Sequence, residues 1–129
     1  MILLDTHALV WMASEPKRLS RRAAQAIRAA EREGGLAISA ITLWELASLF
    51  SKGRIQAFGT VESSIALLIQ GVIVRNITPE IASLATQFPD SYPRDPADRL
   101  IGATARAEGI KLITRDANIA ASPLLQTIW

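Results

Sequence analysis

The sequence has 129 residues, no cysteine and a single histidine, and these shortages restrict its chemistry. Without cysteine, disulfides and thiolate metal sites are excluded, so we expect a reducing compartment, the cytoplasm. With His7 as the only histidine, zinc sites and Cys–His nucleophilic pairs are effectively excluded as well. We interpret His7 as a polar residue at the start of a helix.

Long apolar runs are also missing. The first run, at residues 2–4, stops at Asp5 and is too short for a signal peptide. The longest later runs, 65–69 and 72–74, are split by Gln70 and Gly71, so we expect no membrane span. Half of the residues are nevertheless hydrophobic, which is enough for one substantial core. We therefore expect one domain over residues 1–129.

Positive charge is concentrated in one early segment, although the formal net charge is only +2. All five aspartates lie outside this segment, and three of them fall between residues 90 and 98. A basic surface beside an acidic pocket would suit a polyanionic substrate, but a solvated helix face is the more frequent explanation of such a segment. The basic residues are Lys17, Arg18, Arg21, Arg22, Arg28 and Arg32.

Short apolar or β-branched segments alternate with helical patterns along the chain. We predict strands at 2–4, 36–39, 72–77 and 110–114, with a possible fifth at 124–129. Helix-start signals occur at Ser20, Thr42, Thr60, Thr78-Pro79 and Asp95-Pro96. This alternation predicts an α/β fold with three layers, in which helices flank a central parallel β-sheet.

Four acidic residues occupy comparable places in this pattern. Asp5 and Asp116 follow the first and fourth strands, and Glu45 and Asp98 are expected in the first turns of two helices. Parallel strands end, and the following helices begin, at the same edge of a sheet, so these carboxylates should meet there. Carboxylates that cluster repel each other, and a hard cation such as Mg²⁺ or Mn²⁺ relieves the repulsion.

Helix capping is the better explanation of each of these acids when it is taken alone. Thr42 to Glu45 has the spacing of a capping box, in which Glu45 would need no chemical role. Asp95 and Asp98 would be an N-cap and a first-turn acid, and Asp5 and Asp116 could each cap the turn that follows. The convergence of four acids at one edge is what favours a metal site.

Four ordered segments stand out together: residues 5–11 (DTHALVW), 39–45 (SAITLWE), 95–105 (DPADRLIGATA) and 112–116 (LITRD). As an ordered set they resemble the PIN-domain family, in particular the VapC toxins of bacterial toxin–antitoxin pairs. The resemblance implies a PIN domain with metal-dependent ribonuclease activity, an RNA substrate, a cognate VapB-like antitoxin and a homodimer. It also implies Mg²⁺, or Mn²⁺ in its place. Gly102 stands where the family more often has Ala, a difference with no obvious consequence for the chemistry.

Carried over position by position, the family pattern assigns roles to eight residues of this chain. The catalytic acids would be Asp5, Glu45, Asp98 and Asp116. Metal ligands among them would be Asp5, Asp98 and Asp116. Supporting positions around the site would be Thr6, Thr42, Asp95 and Thr114.

Two other functions fit a parallel sheet with acids at its edge. A phosphatase with an aspartyl nucleophile at Asp5 usually needs a second acid two residues later, where this sequence has His7. A non-enzymatic receiver-like module needs an acidic pair ahead of the end of its first strand, and residues 1–4 contain no acid. Both alternatives rank below metal-assisted hydrolysis of a phosphodiester.

Overall fold

The computed structural model describes residues 1–129. The elements in chain order are β1 (Ile2–Leu4), α1 (Thr6–Ser14), a 3₁₀ helix (Pro16–Arg18), α2 (Arg21–Arg32), β2 (Leu36–Ser39), α3 (Ala40–Ser51), α4 (Val61–Leu68), β3 (Val72–Arg75), α5 (Pro79–Ala85), α6 (Pro96–Glu108), β4 (Lys111–Ile113), α7 (Ala117–Ala120) and β5 (Thr127–Ile128). No helix among them is long and apolar enough to cross a bilayer.

All five strands are parallel and lie in the order β3-β2-β1-β4-β5. The central strand β1 is buried throughout, as its uninterrupted apolar run predicts. Leu4 lies beside Ile113 of β4, and the Asp5 amide donates to the Ile113 carbonyl at 3.0 Å. The chain turns to opposite sides of the sheet from β1 and β4, and a crevice is expected beyond the carboxyl ends of such a pair.

Helices cover both faces of the sheet, which confirms the predicted three-layer α/β fold. Ile2, Leu4 and Ile38 face a core that is completed by α1, α2, α3 and α4. Leu3 and Leu112 point to the opposite face, where α5, α6 and α7 pack. The alternation of side chains along β1 therefore divides the apolar residues between two cores.

Most helix starts lie where the cap signals predict. Ser20, Thr60, Thr78 and Asp95 are N-caps whose side chains accept backbone N–H bonds from the first turn. The predicted capping box at Thr42 is wrong. The N-cap lies three residues earlier, at Ser39, whose side chain accepts from the Ile41 amide at 3.3 Å, and the helix begins at Ala40.

Several element ends differ from the predicted ones. Strand β3 stops at Arg75 rather than at residue 77, and β4 and β5 are shorter than the predicted 110–114 and 124–129. Helix α5 ends at Ala85, and residues 86–95 form a loop that packs on α6. The four-residue helix α7 has too little periodicity to be predicted, and only its cap, Asp116, is visible in the sequence.

Candidate active site

An open cleft of about 650 Å³ lies beyond the carboxyl ends of β1 and β4. The structure brings all four predicted acids and Asp95 into its wall. The cleft also has a cationic and aromatic side. Its lining residues are Asp5, His7, Trp11, Arg18, Glu45, Asp95, Asp98, Arg115 and Asp116, and we call it the acidic cleft.

Asp5 is the most buried of these acids and is held by both carboxylate oxygens. Its Oδ1 accepts from the Thr6 amide at 2.8 Å, so Asp5 is the N-cap of α1. Its Oδ2 accepts from the Thr114 hydroxyl, also at 2.8 Å. Thr114 in turn accepts from the Asp116 amide at 3.1 Å, which ties the end of β4 to the end of β1. Each Asp5 oxygen keeps a further lone pair for another ligand.

Glu45 takes part in a side-chain network that the capping-box interpretation missed. Glu45 lies in the second turn of α3, and its Oε1 accepts from the Thr6 hydroxyl at 2.6 Å. Thr6 Oγ1 and Thr42 Oγ1 are 3.1 Å apart, and both threonines are buried. Because Thr6 has one hydroxyl hydrogen and gives it to Glu45, Thr42 is the donor in this pair. Thr42 therefore supports Glu45 through Thr6 and caps no helix.

Asp98 lies in the first turn of α6, where hydrogen bonds from Tyr92 and Arg99 hold the backbone in place. Its backbone carbonyl accepts from the Tyr92 hydroxyl at 3.0 Å, and Tyr92 stacks on Phe88 with ring centroids 4.0 Å apart. Arg99 donates to the carbonyls of Phe88 and Pro93 at 3.1 and 2.9 Å, which fastens the preceding loop to the helix. The Asp98 carboxylate itself accepts no hydrogen bond and pairs with no cation.

Asp95 and Asp116 each cap a helix with one carboxylate oxygen. Asp95 Oδ1 accepts from the Ala97 amide at 2.9 Å. Asp116 Oδ1 accepts from the amides of Asn118 and Ile119 at 2.8 and 3.2 Å. Capping thus explains where these two acids sit, and it leaves the second oxygen of each available to the cleft.

Burial and mutual repulsion disturb the ionisation of three of the acids. Burial raises the pKa of Asp5, and its hydrogen bonds from Thr114 and Thr6 oppose that change. Burial also raises the pKa of Glu45. The pKa of Asp98 is raised from 3.8 to about 7, first by burial and then by the negative charges of Asp5, Asp95, Glu45 and Asp116. Raised pKa values in one cleft are a mark of functional sites.

The donors of the cleft suit a hard divalent cation. They are carboxylate oxygens, the ligands that Mg²⁺ and Mn²⁺ prefer. No three of these side chains stand close enough to enclose one ion without moving. The fit therefore rests on the number of oxygen donors and on the unbalanced charge at Asp98, a charge that a cation would neutralise.

Three other residues of the cleft, Trp11, Arg18 and Arg115, are not among the site residues predicted from the sequence. Of the six residues in the early basic segment, only Arg18 reaches the cleft. The apolar residues of α1 place Trp11 in the core and give no sign of the arginines above it. Arg115 lies about a hundred positions after Trp11 in the chain, so local spacing carries no signal for its place over that ring.

The chain is similar to known proteins over nearly its whole length. Residues 2–123 match the PIN domain family. The chain is 42% identical to Ribonuclease VapC22 of Mycobacterium tuberculosis over 130 aligned positions, which cover 99% of this chain and 98% of that protein. This likeness confirms the resemblance read from the four motifs.

Two solved structures with the same fold come from toxin–antitoxin assemblies. One is a toxin–antitoxin complex from Klebsiella pneumoniae, with TM-score 0.69, 27% identity and coverage of 96% and 94% of the two chains. Another is VapBC2 from Rickettsia felis bound to a promoter DNA fragment, with TM-score 0.75, 17% identity and coverage of 98% and 97%. The chain therefore belongs to the PIN-domain family, within its VapC ribonuclease branch.

Proposed function

We propose that this protein is a metal-dependent endoribonuclease toxin that hydrolyses RNA phosphodiester bonds in the acidic cleft. One observation carries the proposal: the Asp98 carboxylate has no partner, and four further carboxylates line the same cleft. Such a charge distribution opposes folding unless it serves a cationic ligand. Membership of the VapC ribonucleases supports RNA as the substrate.

Asp5, Asp98 and Asp116 would hold Mg²⁺, or Mn²⁺ in its place, through the oxygen lone pairs that hydrogen bonds leave open. The ion would supply Lewis-acid chemistry, lowering the pKa of a water and offsetting negative charge on the phosphate. Asp95 contributes its charge from the cap of α6, directly beside Asp98 in the first turn.

The chain's own residues have distinct tasks in this mechanism. Thr114 and Thr6 keep Asp5 in one orientation by donating to both of its oxygens. Thr6 also holds Glu45 Oε1, which leaves Glu45 Oε2 to accept a proton from the attacking water. Because burial raises the pKa of Glu45, its carboxylate is a stronger base than an exposed one.

The phosphatase alternative is less well supported by the same geometry. An aspartyl nucleophile at Asp5 would usually need a second acid two residues later. The neighbouring position for an acid is His7, which is exposed on α1. The metal-assisted reaction needs no acid at that position.

We also propose a VapB-like antitoxin as the partner that controls the cleft. Trp44 of α3 is 68% exposed and stands beside Glu45 and Lys52 in a recess next to the cleft. A second, apolar groove of about 540 Å³, lined by Phe50, Ile55, Phe58 and Leu67 among others, shares Arg54 with that recess. An amphipathic segment laid along these surfaces could place an Arg or Lys among the carboxylates. The toxin–antitoxin complexes among the structural neighbours support this partner.

A homodimer and a cytoplasmic location complete the proposal. Ile73 of the edge strand β3 and the adjacent Ile77 are each 40% exposed, so a second copy has apolar surface to cover. Light scattering of the purified protein would show a dimer if this surface is used. A monomer at all concentrations would remove the homodimer from the proposal.

Incubation of purified protein with RNA, with Mg²⁺ or with EDTA, tests the activity. We expect cleavage by the wild type in Mg²⁺ and none in EDTA, and none by Asp98→Asn in either. Asp90→Asn, an exposed acid outside the cleft, is the matched control and should cleave like the wild type. Sequencing of the new 5′ ends would identify the RNA and the cleavage position. Cleavage by Asp98→Asn at the wild-type rate would contradict the mechanism.

A further inference from the structure

The wall of the acidic cleft opposite Asp98 is built on the indole of Trp11. Trp11 is only 8% exposed and belongs to the core beneath β1. Its ring packs edge-on against Trp129 with centroids 5.8 Å apart, and His7 lies at 5.9 Å in a tilted arrangement. A buried, three-sided packing of this kind leaves the indole little freedom to move, so it is a rigid support for whatever lies above it.

Two guanidinium groups lie over this ring. The Cζ of Arg18 is 4.4 Å from the Trp11 ring centroid, and the Cζ of Arg115 is 5.8 Å away. Both distances are in the range of cation–π contacts, which orient the guanidinium plane. Arg18 reaches one carboxylate, Glu15, at 3.8 Å, with both side chains about half exposed, and Arg115 makes no ion pair. The N–H donors of both groups are therefore available to a ligand.

We propose that Arg18 and Arg115, supported by Trp11, bind an RNA phosphate next to the bond that is cleaved. The inference rests on the proposed ribonuclease function and names the substrate-binding side of its site. Five carboxylates repel the RNA backbone, and metal ions at those acids offset the charge only locally. A phosphate one nucleotide away needs its own cations, and the planar guanidinium forms paired hydrogen bonds to phosphate oxygens.

The remaining basic residues of the early segment provide a contrast. Arg32 ends α2, directly before the turn that leads into β2, so it lies at the amino-terminal edge of the sheet. The cleft lies at the opposite, carboxyl-terminal edge. Arg32→Gln therefore removes the same group from the same segment without touching the proposed phosphate site.

The experiment measures cleavage of a labelled RNA oligonucleotide that the wild type cuts, at several salt concentrations. We expect Arg18→Gln and Arg115→Gln each to raise KM about five- to tenfold and to change kcat less than twofold. Each should also flatten the dependence of log(kcat/KM) on log[salt] by about 0.7, the value for one lost phosphate contact in a single strand. Arg115→Lys should restore the salt slope of the wild type but recover only part of the rise in KM. Lysine keeps the positive charge and lacks the planar guanidinium that forms paired hydrogen bonds. Arg32→Gln should match the wild type in all three quantities.

Binding gives a second readout that is independent of turnover. In the Asp98→Asn background, fluorescence anisotropy should show RNA affinity that falls with Arg18→Gln or Arg115→Gln. Wild-type KM, salt slope and affinity in both arginine variants would overturn the phosphate site while cleavage by the wild type still supports the ribonuclease. If Arg18→Gln and Arg115→Gln weakened only the binding of the antitoxin and left RNA binding unchanged, the phosphate site would be overturned too. A wild type that neither binds nor cuts RNA would instead refute the proposed function.

Discussion

Replacing Asp98 with asparagine should stabilise the metal-free protein at neutral pH. The pKa of Asp98 is about 7 in the folded chain against an ordinary 3.8, because burial and four neighbouring charges disfavour its ionised form. A group whose pKa is raised on folding binds its proton more tightly in the native state. Its contribution to stability is therefore complete below pH 3.8 and is lost as the pH rises towards 7. Asparagine has no proton to lose, so the variant escapes that loss.

The size of the effect follows from the same pKa difference. A difference of roughly three pKa units at about 1.4 kcal/mol each sets an upper bound of about 4 kcal/mol. Asp98 is only half-buried, and solvent screens its repulsion, so we expect about 1–2 kcal/mol. For a chain of this length each kcal/mol moves the Tm by roughly 3–5 °C. The Tm of Asp98→Asn should therefore exceed that of the wild type by about 3–10 °C in EDTA at pH 7.5.

Thermal denaturation of three proteins in EDTA, at pH 7.5 and at pH 4, checks this reasoning. Asp90→Asn removes an exposed carboxylate outside the cleft and controls for the change in net charge. The gain in Asp98→Asn should nearly vanish at pH 4, where the wild-type carboxyl is protonated in the fold. Adding Mg²⁺ should reverse the order at pH 7.5, because the ion stabilises the wild type. A loss of stability in EDTA, or a gain equal to that of Asp90→Asn, would show that no repulsion is relieved at Asp98.

Three further predictions concern the metal, the partner and the support of Asp98. Mg²⁺ at a hundredfold excess over Kd should stabilise the wild type by about 2.7 kcal/mol and so raise its Tm. It should leave the Tm of Asp5→Asn unchanged, and equal Tm shifts in both proteins would remove Asp5 from the ligands. Trp44→Ala should weaken binding of the antitoxin encoded beside this gene in a titration and leave RNA cleavage nearly intact, and unchanged affinity would exclude Trp44 from that interface. Gly102→Ala should lower the Tm, measured by thermal denaturation, although alanine is the better helix former.

Sequence patterns were sufficient for the sheet and for the convergence of the acids. The apolar run before Asp5 and the cap signals at Ser20, Thr78 and Asp95 are local features, and local physics decides them. Topology follows because parallel strands joined by helices admit few arrangements. The edge at which Asp5 and its fellow acids meet could therefore be predicted without coordinates.

Most of the contacts that the patterns missed join distant parts of the chain. Glu45 has the local spacing of a capping box with Thr42, but both side chains instead meet Thr6, which lies 39 residues before Glu45. A buried hydroxyl must find a partner, and Thr6 is the one that tertiary packing supplies to Thr42. Arg115 likewise meets Trp11 only because β1 and β4 are neighbours in the sheet, whereas Arg18 follows Trp11 closely in the chain.

Gly102 is another position that local patterns do not explain, because residues outside its helix leave no room for a side chain there. In the middle of α6, alanine would normally stabilise the helix by about 1 kcal/mol. Here an added Cβ would collide with the Tyr92 hydroxyl and lie 3.0 Å from Tyr92 Cζ and 3.1 Å from Phe88 Cζ. Overpacking of this kind costs about 1–3 kcal/mol, so the loss exceeds the gain in helix propensity.

The Tyr92 ring that an added Cβ at Gly102 would displace also supports Asp98, so both stability and activity should change. Tyr92 donates to the carbonyl of Asp98, so displacing it should shift the first turn of α6 and lower kcat. Tyr92→Phe removes the closest colliding atom, and Gly102→Ala should cost less stability in that background than in the wild type. A double-mutant cycle gives the coupling between the two residues. If Gly102→Ala proves as stable and active as the wild type, the ring has room to move and does not hold Asp98 in place.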